Sequence, residues 1–258
     1  MILIERPKLG LRPSDPAKLV RTLKLAHYLV GASGGAFAEF IPPAFDWFLG
    51  VADYMDMNDR IGDCVVAAQA KMVRSWTANV PGGVAATITD AMILDVYRKG
   101  TGYNPADPST DQGWDMLSGL SYWQRYGIGG HKIGVYAAIN PAHPYMMKAA
   151  TFLFGGTYTA FDLPNSIWAQ MDAGKPWDVV EDDGGSAGGH CVTIQKINAK
   201  GNPCCRTWGA EQEMTWPFVF KYCFEAYAAI SNEYLSGGRT IAGLDVDRLT
   251  KDLALVKA

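Results

Sequence analysis

The sequence predicts an α+β protein of two lobes, helical in its first half and β-rich in its second. Three observations point there. The run Cys64-Val-Val-Ala-Ala-Gln-Ala-Lys-Met72 is apolar on most sides, as a helix buried all round should be. Segments rich in β-branched and aromatic residues, bounded by turn signals, gather later in the chain, at 157–163, 190–197 and 204–208. A chain of 258 residues with 48% hydrophobic content is long enough to bury a sizeable core within one domain.

Taken in order, Asp15-Pro16 is an N-cap followed by Pro at the first helical position. Leu19, Leu23, Ala26 and Val30 then recur at helical spacing, so one amphipathic helix is expected up to Gly31. Residues 32–36 read as a Gly/Ser hinge, and Pro42-Pro43 opens the main domain. The chain therefore divides into an N-terminal arm, 1–41, and a main domain, 42–258, with its helical lobe over 42–140 and its β-rich lobe over 141–258. Further helices are expected from 64 to 79, stopped by Pro81-Gly82-Gly83, from 90 to 99, and, after a loop that ends at Gly113, up to Tyr126. Residues 182–189 form a Gly-rich turn, 215–229 read as a helix with Pro217 in its first turn, and a short amphipathic helix follows Asp245.

Composition excludes several functions. A net charge of −3 and the lack of a long basic run argue against nucleic-acid binding. No run approaches the ~20 apolar residues that span a bilayer, and no secretory h-region opens the chain, so a cytoplasmic location is expected, in a host cell or a virion if the chain is phage-encoded. Five cysteines do not make a disulfide framework; buried free thiols are expected. Asp107, Asp111 and Asp115 do not match a calcium loop, and no metal or cofactor is assigned. The first 24 residues carry six Lys/Arg against two acids, which suits either a contact arm for an acidic partner or a solvated helix face.

The candidate chemistry centres on Cys64. At a helix N-terminus, unpaired N–H groups and the macrodipole favour thiolate over a thiol that otherwise titrates near ~8.5. Gly62 permits close approach two residues earlier, and Asn58 lies six residues earlier as a candidate oxyanion donor. His190 follows Gly188-Gly189 at the start of a strand, and Arg206-Thr207-Trp208-Gly209 comes after it. A lone Cys opening an apolar helix is ordinarily a core residue; its coincidence with Asn58, Gly62, His190 and Trp208 makes it a candidate nucleophile with His190 as base. Trp208 serves either to shield His190 or as ordinary packing.

These residues resemble the papain-like cysteine peptidase superfamily. Pro43-Ala-Phe-Asp-Trp47 looks like the family's opening Pro-x-x-x-Asp-Trp, and Asn58-Asp-Arg-Ile-Gly-Asp-Cys64 resembles its Gln-Gly-x-Cys-Gly-Ser-Cys. Asp111-Gln-Gly-Trp114 looks like its Gly-Gly loop, and the order continues through Tyr136–Asn140, Met146–Thr159, His190 and Trp208-Gly209. The resemblance implies a two-lobe fold with a Cys-bearing central helix and a β-barrel-like second lobe. It also implies attack by Cys64 on an amide carbonyl, with Asn58 in the oxyanion hole. Three departures stand out. Arg206 occupies the place of the Asn that orients the family's His, Asn58 replaces Gln, and the leading segment is short. Arg206 offers no acceptor and, near His190, would weaken an ion pair; a backbone carbonyl, Asp182 or Asp183 are the alternatives for orienting the imidazole. Two function classes follow: a cysteine hydrolase acting on a peptide or protein, weakened by Arg206, or an impaired papain-like module that binds neighbouring subunits in a phage virion or another assembly. Uncharacterised phage-encoded proteins look similar through Thr207-Trp-Gly209 and Met214-Thr-Trp216. The arm is expected to persist as a docking element, not as a removed propeptide.

Overall fold

The helix that begins at Cys64 runs through the centre of the molecule, and every residue from Cys64 to Trp76 is buried. The computed structural model describes residues 6–29, 41–231, 234–236, 239–240 and 251. In chain order the arm gives β1 (Leu11–Arg12), α1 (Pro16–Arg21) and α2 (Ala26–Leu29). The helical lobe follows with β2 (Phe45–Asp46), α3 (Cys64–Asn79), α4 (Asp90–Thr101), β3 (Trp114–Asp115) and α5 (Met116–Arg125). Next come β4 (Ile133–Ile139), α6 (Pro144–Leu153), β5 (Thr157–Pro164), α7 (Ser166–Asp172) and β6 (Ser186–Ile197). The last elements are β7 (Pro203–Thr207), β8 (Ala210–Glu213), α8 (Trp216–Tyr222), β9 (Cys223–Ser231), β10 (Leu235–Ser236) and β11 (Arg239–Thr240).

One antiparallel sheet organises the second half, in the order β4-β9-β5-β6-β7-β8, with β2 pairing the end of β6. It stays open between β4 and β8, so the expected barrel-like lobe is a sheet that does not close. Side-chain alternation splits the core across its two faces. Tyr158, Ala160 and Cys191 meet α3, α4 and α5, while Phe161, Leu163, Val192 and Ile194 meet α6 and α8. Among the described residues, no helix is long and apolar enough to cross a membrane. All five cysteines are buried and free.

Two expected helices change. The segment 215–229 is helical only to Tyr222; Cys223–Ser231 lies between β4 and β5 as a strand bonded on both sides. Its alanines favour a helix locally, but two open strand edges offer a full ladder of hydrogen bonds, and tertiary pairing overrides the propensity. The arm helix also breaks. Asp15 caps α1 as expected, accepting from the Ala17 N–H, yet the chain is extended after Arg21. There the Ala138 N–H bonds the Leu23 carbonyl (2.6 Å) and the Leu25 N–H bonds the Ala138 carbonyl (2.9 Å), so the arm covers the edge of β4. Val30, the hinge at 32–36 and the helix after Asp245 lie outside the described residues.

Leu25 is 0% exposed within the core cluster of α6 and the sheet, so this part of the arm packs on its own domain. Leu25→Ala should cost about 2–5 kcal/mol in a denaturant titration, the range for a buried Leu truncation. A loss near zero would mean that this docking adds nothing to the fold.

Candidate active site

The turn before Cys64 is held from both sides. Asp56 and Met57 adopt left-handed backbone angles (φ 59° and 62°). Asp56 is buried and accepts from Lys71 Nζ at 2.7 Å and from both Arg74 nitrogens at 3.0 and 2.7 Å. On the other side, the Gly62 N–H bonds both oxygens of Asp111 at 3.1 Å. Tyr97 donates to the same carboxylate at 2.6 Å and Lys8 at 2.5 Å. Asn58 is buried, and its Nδ2 donates to Asp63 Oδ1 at 3.2 Å. Asp63 itself is fully buried, and burial raises its carboxyl well above the usual range against the pull of Lys71 and Asn58.

Cys64 is 0% exposed. Burial pushes its thiol from 9.0 up to about 12; backbone hydrogen bonds from Cys191 and Gly10 recover only part of this, and Asp63 pushes upward too. The expected acidic thiol is therefore absent in this state. A helix terminus supplies up to ~2 kcal/mol, whereas full burial moves a thiol further than that in the opposite direction.

His190 is also 0% exposed. Its Nε2 lies 2.7 Å from Thr207 Oγ1, and Trp208 stacks on the ring with centroids 4.4 Å apart at 17°. Nδ1 is buried with no hydrogen-bond partner, so the Cys64 sulfur does not bond it. Burial and then the Lys71 charge lower the imidazole from 6.5 to about 3.

Arg206 does not approach His190. Its Nε pairs with Asp53 at 2.8 Å, Nη2 donates to the Phe48 carbonyl at 3.2 Å, and the guanidinium lies over the Phe48 ring. Residues 206 and 208, which an unbroken strand would place on one face, part because β7 ends at Thr207 and Trp208 turns to φ 46°. Alternation then places Thr207 on the imidazole face and Arg206 on the other. Asp182 and Asp183 do not orient the ring either. Asp182 accepts from the Gly184 N–H, and Asp183 accepts from Tyr222, Lys221 and Gly185, bonds that lower its carboxyl to about 2.

No family model matches the sequence, and no curated protein is similar to it. Solved structures are similar. Xylellain, a cysteine protease from Xylella fastidiosa, superposes with a TM-score of 0.67 at 15% identity, over 88% of this chain and 98% of its own. Procathepsin B S9 from Trypanosoma congolense gives 0.53 at 12% identity, over 88% and 84%. Procathepsin L 3 of Tenebrio molitor gives 0.53 at 12%, over 74% and 70%. The fold is papain-like.

In this papain-like fold the structure brings Cys64, Gly62 and Asn58 together on one loop and stacks Trp208 on His190; Arg206 stands apart. Sequence reasoning missed three residues. Thr207 sits inside a quoted motif, and its place on the alternate face of β7 from Arg206 turns it to His190. Asp111 was read as part of a spaced-acid run, and nothing in that spacing tells that its carboxylate holds the Gly62 N–H. Asp63 stands at the cap position before Cys64, and its side chain makes no capping bond.

The depressed imidazole sets a pH dependence. Between 6.5 and about 3 the unfolded chain binds a proton that buried His190 refuses, so stability is complete above that window and falls as pH drops through it. Melting curves should show wild type losing on the order of a few kcal/mol more than His190→Gln between neutral pH and pH 4. Parallel curves would show that the ring is not buried.

Proposed function

We propose that the chain is a cysteine hydrolase that cleaves peptide or amide bonds. What supports this reading is His190: Thr207 meets its Nε2, Nδ1 is buried without a hydrogen-bond partner, and the next residue, Cys191, lies in the same core cluster as Cys64. With Cys64 uncovered, its thiol passes a proton to Nδ1 while the Thr207 hydroxyl oxygen accepts from the Nε2–H. The thiolate attacks the carbonyl carbon, and the Cys64 N–H and the second Asn58 Nδ2 hydrogen receive the oxyanion. Collapse breaks the C–N bond, His190 protonates the leaving amine, and a thioester remains. Water then loses a proton to His190, attacks the thioester, and frees the acid and the Cys64 thiol. Trp208 keeps bulk water off the imidazole.

A second reading, an impaired papain-like module in a phage virion or another assembly, is favoured by the complete burial of both Cys64 and His190. In that reading the arm contacts neighbouring subunits.

Labelling with a thiol-directed electrophile separates the two. The hydrolase reading expects labelling that Cys64→Ser abolishes together with peptide turnover. Thr207→Val should slow both by up to about tenfold, the worth of one hydrogen bond. Arg206→Asn should leave the labelling rate and its pH profile unchanged. Cys64 that stays unlabelled even after its cover is loosened would favour the module.

A further inference from the structure

A cleft of about 690 Å³ opens on the helical lobe between α4 and the end of α5, and it shares no lining residue with the candidate active site. That volume falls within the ~300–1,000 Å³ of small-molecule sites. Helical spacing builds both walls. On one side Tyr122 and Tyr126, four residues apart, hold their ring centroids 4.7 Å apart at 45°. On the other, Asp95 and Lys99, also four apart, form a 2.7 Å ion pair next to Met92. α4 buries Ile93 and Tyr97, and Met92, Asp95 and Lys99 stay on its outer face. Gly100 admits the Trp114 ring, which a Cβ there would meet at 2.1 Å, and Trp114 braces Tyr122 edge-on at 5.6 Å. A glycine turn closes the end: a Cβ on Gly129 (φ 57°) would come within 2.9 Å of Ile88 and 3.3 Å of the Met92 sulfur.

We propose that this cleft binds a sugar unit of a glycan, with the ring's C–H face on Tyr122 and Tyr126 and two neighbouring hydroxyls on Asp95 and Lys99. The lining selects that class. Tyr126 is 53% exposed and Met92 38%, so the aromatic wall offers open apolar surface, and each tyrosine joins that surface to a polar tip. The opposite wall is neutral as a pair and works in both senses. Lys99 spends one N–H on Asp95 Oδ2 and keeps two donors, while Asp95 Oδ1 is left to accept. A hydroxyl that donates to Asp95 and a neighbour that accepts from Lys99 match the pair, because adjacent ring hydroxyls lie about as far apart as its two charged atoms. Other ligand classes fit less well. Helical walls have their backbone groups already bonded and offer an extended peptide no ladder. Rings tilted by 45° cannot sandwich a flat aromatic between parallel faces. A phosphate would meet the Asp95 carboxylate as a like charge. The inference does not rest on Cys64.

The test titrates the full chain with chitotriose, cellotriose, maltotriose and mannotriose, read by saturation-transfer NMR, with p-cresol as a flat aromatic control. At least one trisaccharide should bind with Kd of about 1 mM or tighter, and transfer should be strongest to the protons of one ring face. Tyr126→Ala, at an exposed position, should weaken that binding roughly tenfold. Asp95→Asn and Lys99→Met should each weaken it roughly three- to tenfold. Melting curves of all three variants should match wild type, so that lost binding is not lost fold. Cys64→Ser should bind as wild type does, which keeps this site apart from the proposed hydrolysis. Three results would overturn the inference: no binding of any of these sugars, binding that survives Tyr126→Ala unchanged, or p-cresol binding more tightly than every sugar. The last would make the cleft a pocket for an aromatic side chain of a partner.

Discussion

A single buried carboxylate holds the arrangement together. Asp56 sits where burial alone would protonate it, yet Lys71 and Arg74 lower its pKa below the ordinary value. The attraction outweighs desolvation because three hydrogen bonds and two positive charges converge on two oxygens. Both cations belong to α3, so the ion cluster ties the turn carrying Asn58 to the helix carrying Cys64. Removing one partner of such a cluster typically costs about 3–5 kcal/mol, since it leaves a buried charge uncompensated. The Lys71 charge reaches further, opposing protonation of His190 and favouring ionisation of Asp63. The charge of one member of this ion cluster thus reaches both His190 and Asp63, the residue before Cys64.

Burial, more than residue identity, sets the protonation of the thiol and the imidazole. Thiol and imidazole are each displaced toward their neutral forms, Cys64 up to about 12 and His190 down to about 3, with burial the leading cause for both. The order of these values is the reverse of what an ion pair needs.

Much of the fold was legible because its signals are local. The helix at Cys64 is apolar on most sides and closes before Pro-Gly-Gly; β5, β6 and β7 carry β-branched and aromatic residues between turns. What misled were segments whose partners lie far away in sequence. Cys223–Ser231 is helical by propensity and a central strand by pairing, and residues 22–25 leave the helix to meet Ala138. Within the candidate site, Cys64, Asn58, His190 and Trp208 stand in the motif order, whereas strand alternation turns Thr207, not Arg206, to the imidazole, a choice of face that no residue type announces. The arm's path was least legible of all. Its basic residues suggested an acidic partner, and the acids they meet, Asp111 for Lys8 and Asp172 for Arg6, belong to the same chain.

Glu225 gives the arm a further property. This carboxyl is buried and receives hydroxyls from Ser14 and Tyr227, the first of them delivered by the arm. Removing the Ser14 hydroxyl would strip a buried carboxyl of one of these two partners, a loss of about 1.5–3 kcal/mol for a hydrogen bond to a charged group. The arm is thereby tied to β9, the strand between β4 and β5, so the extended segment and the sheet are coupled through one carboxyl that takes no part in the proposed bond breaking.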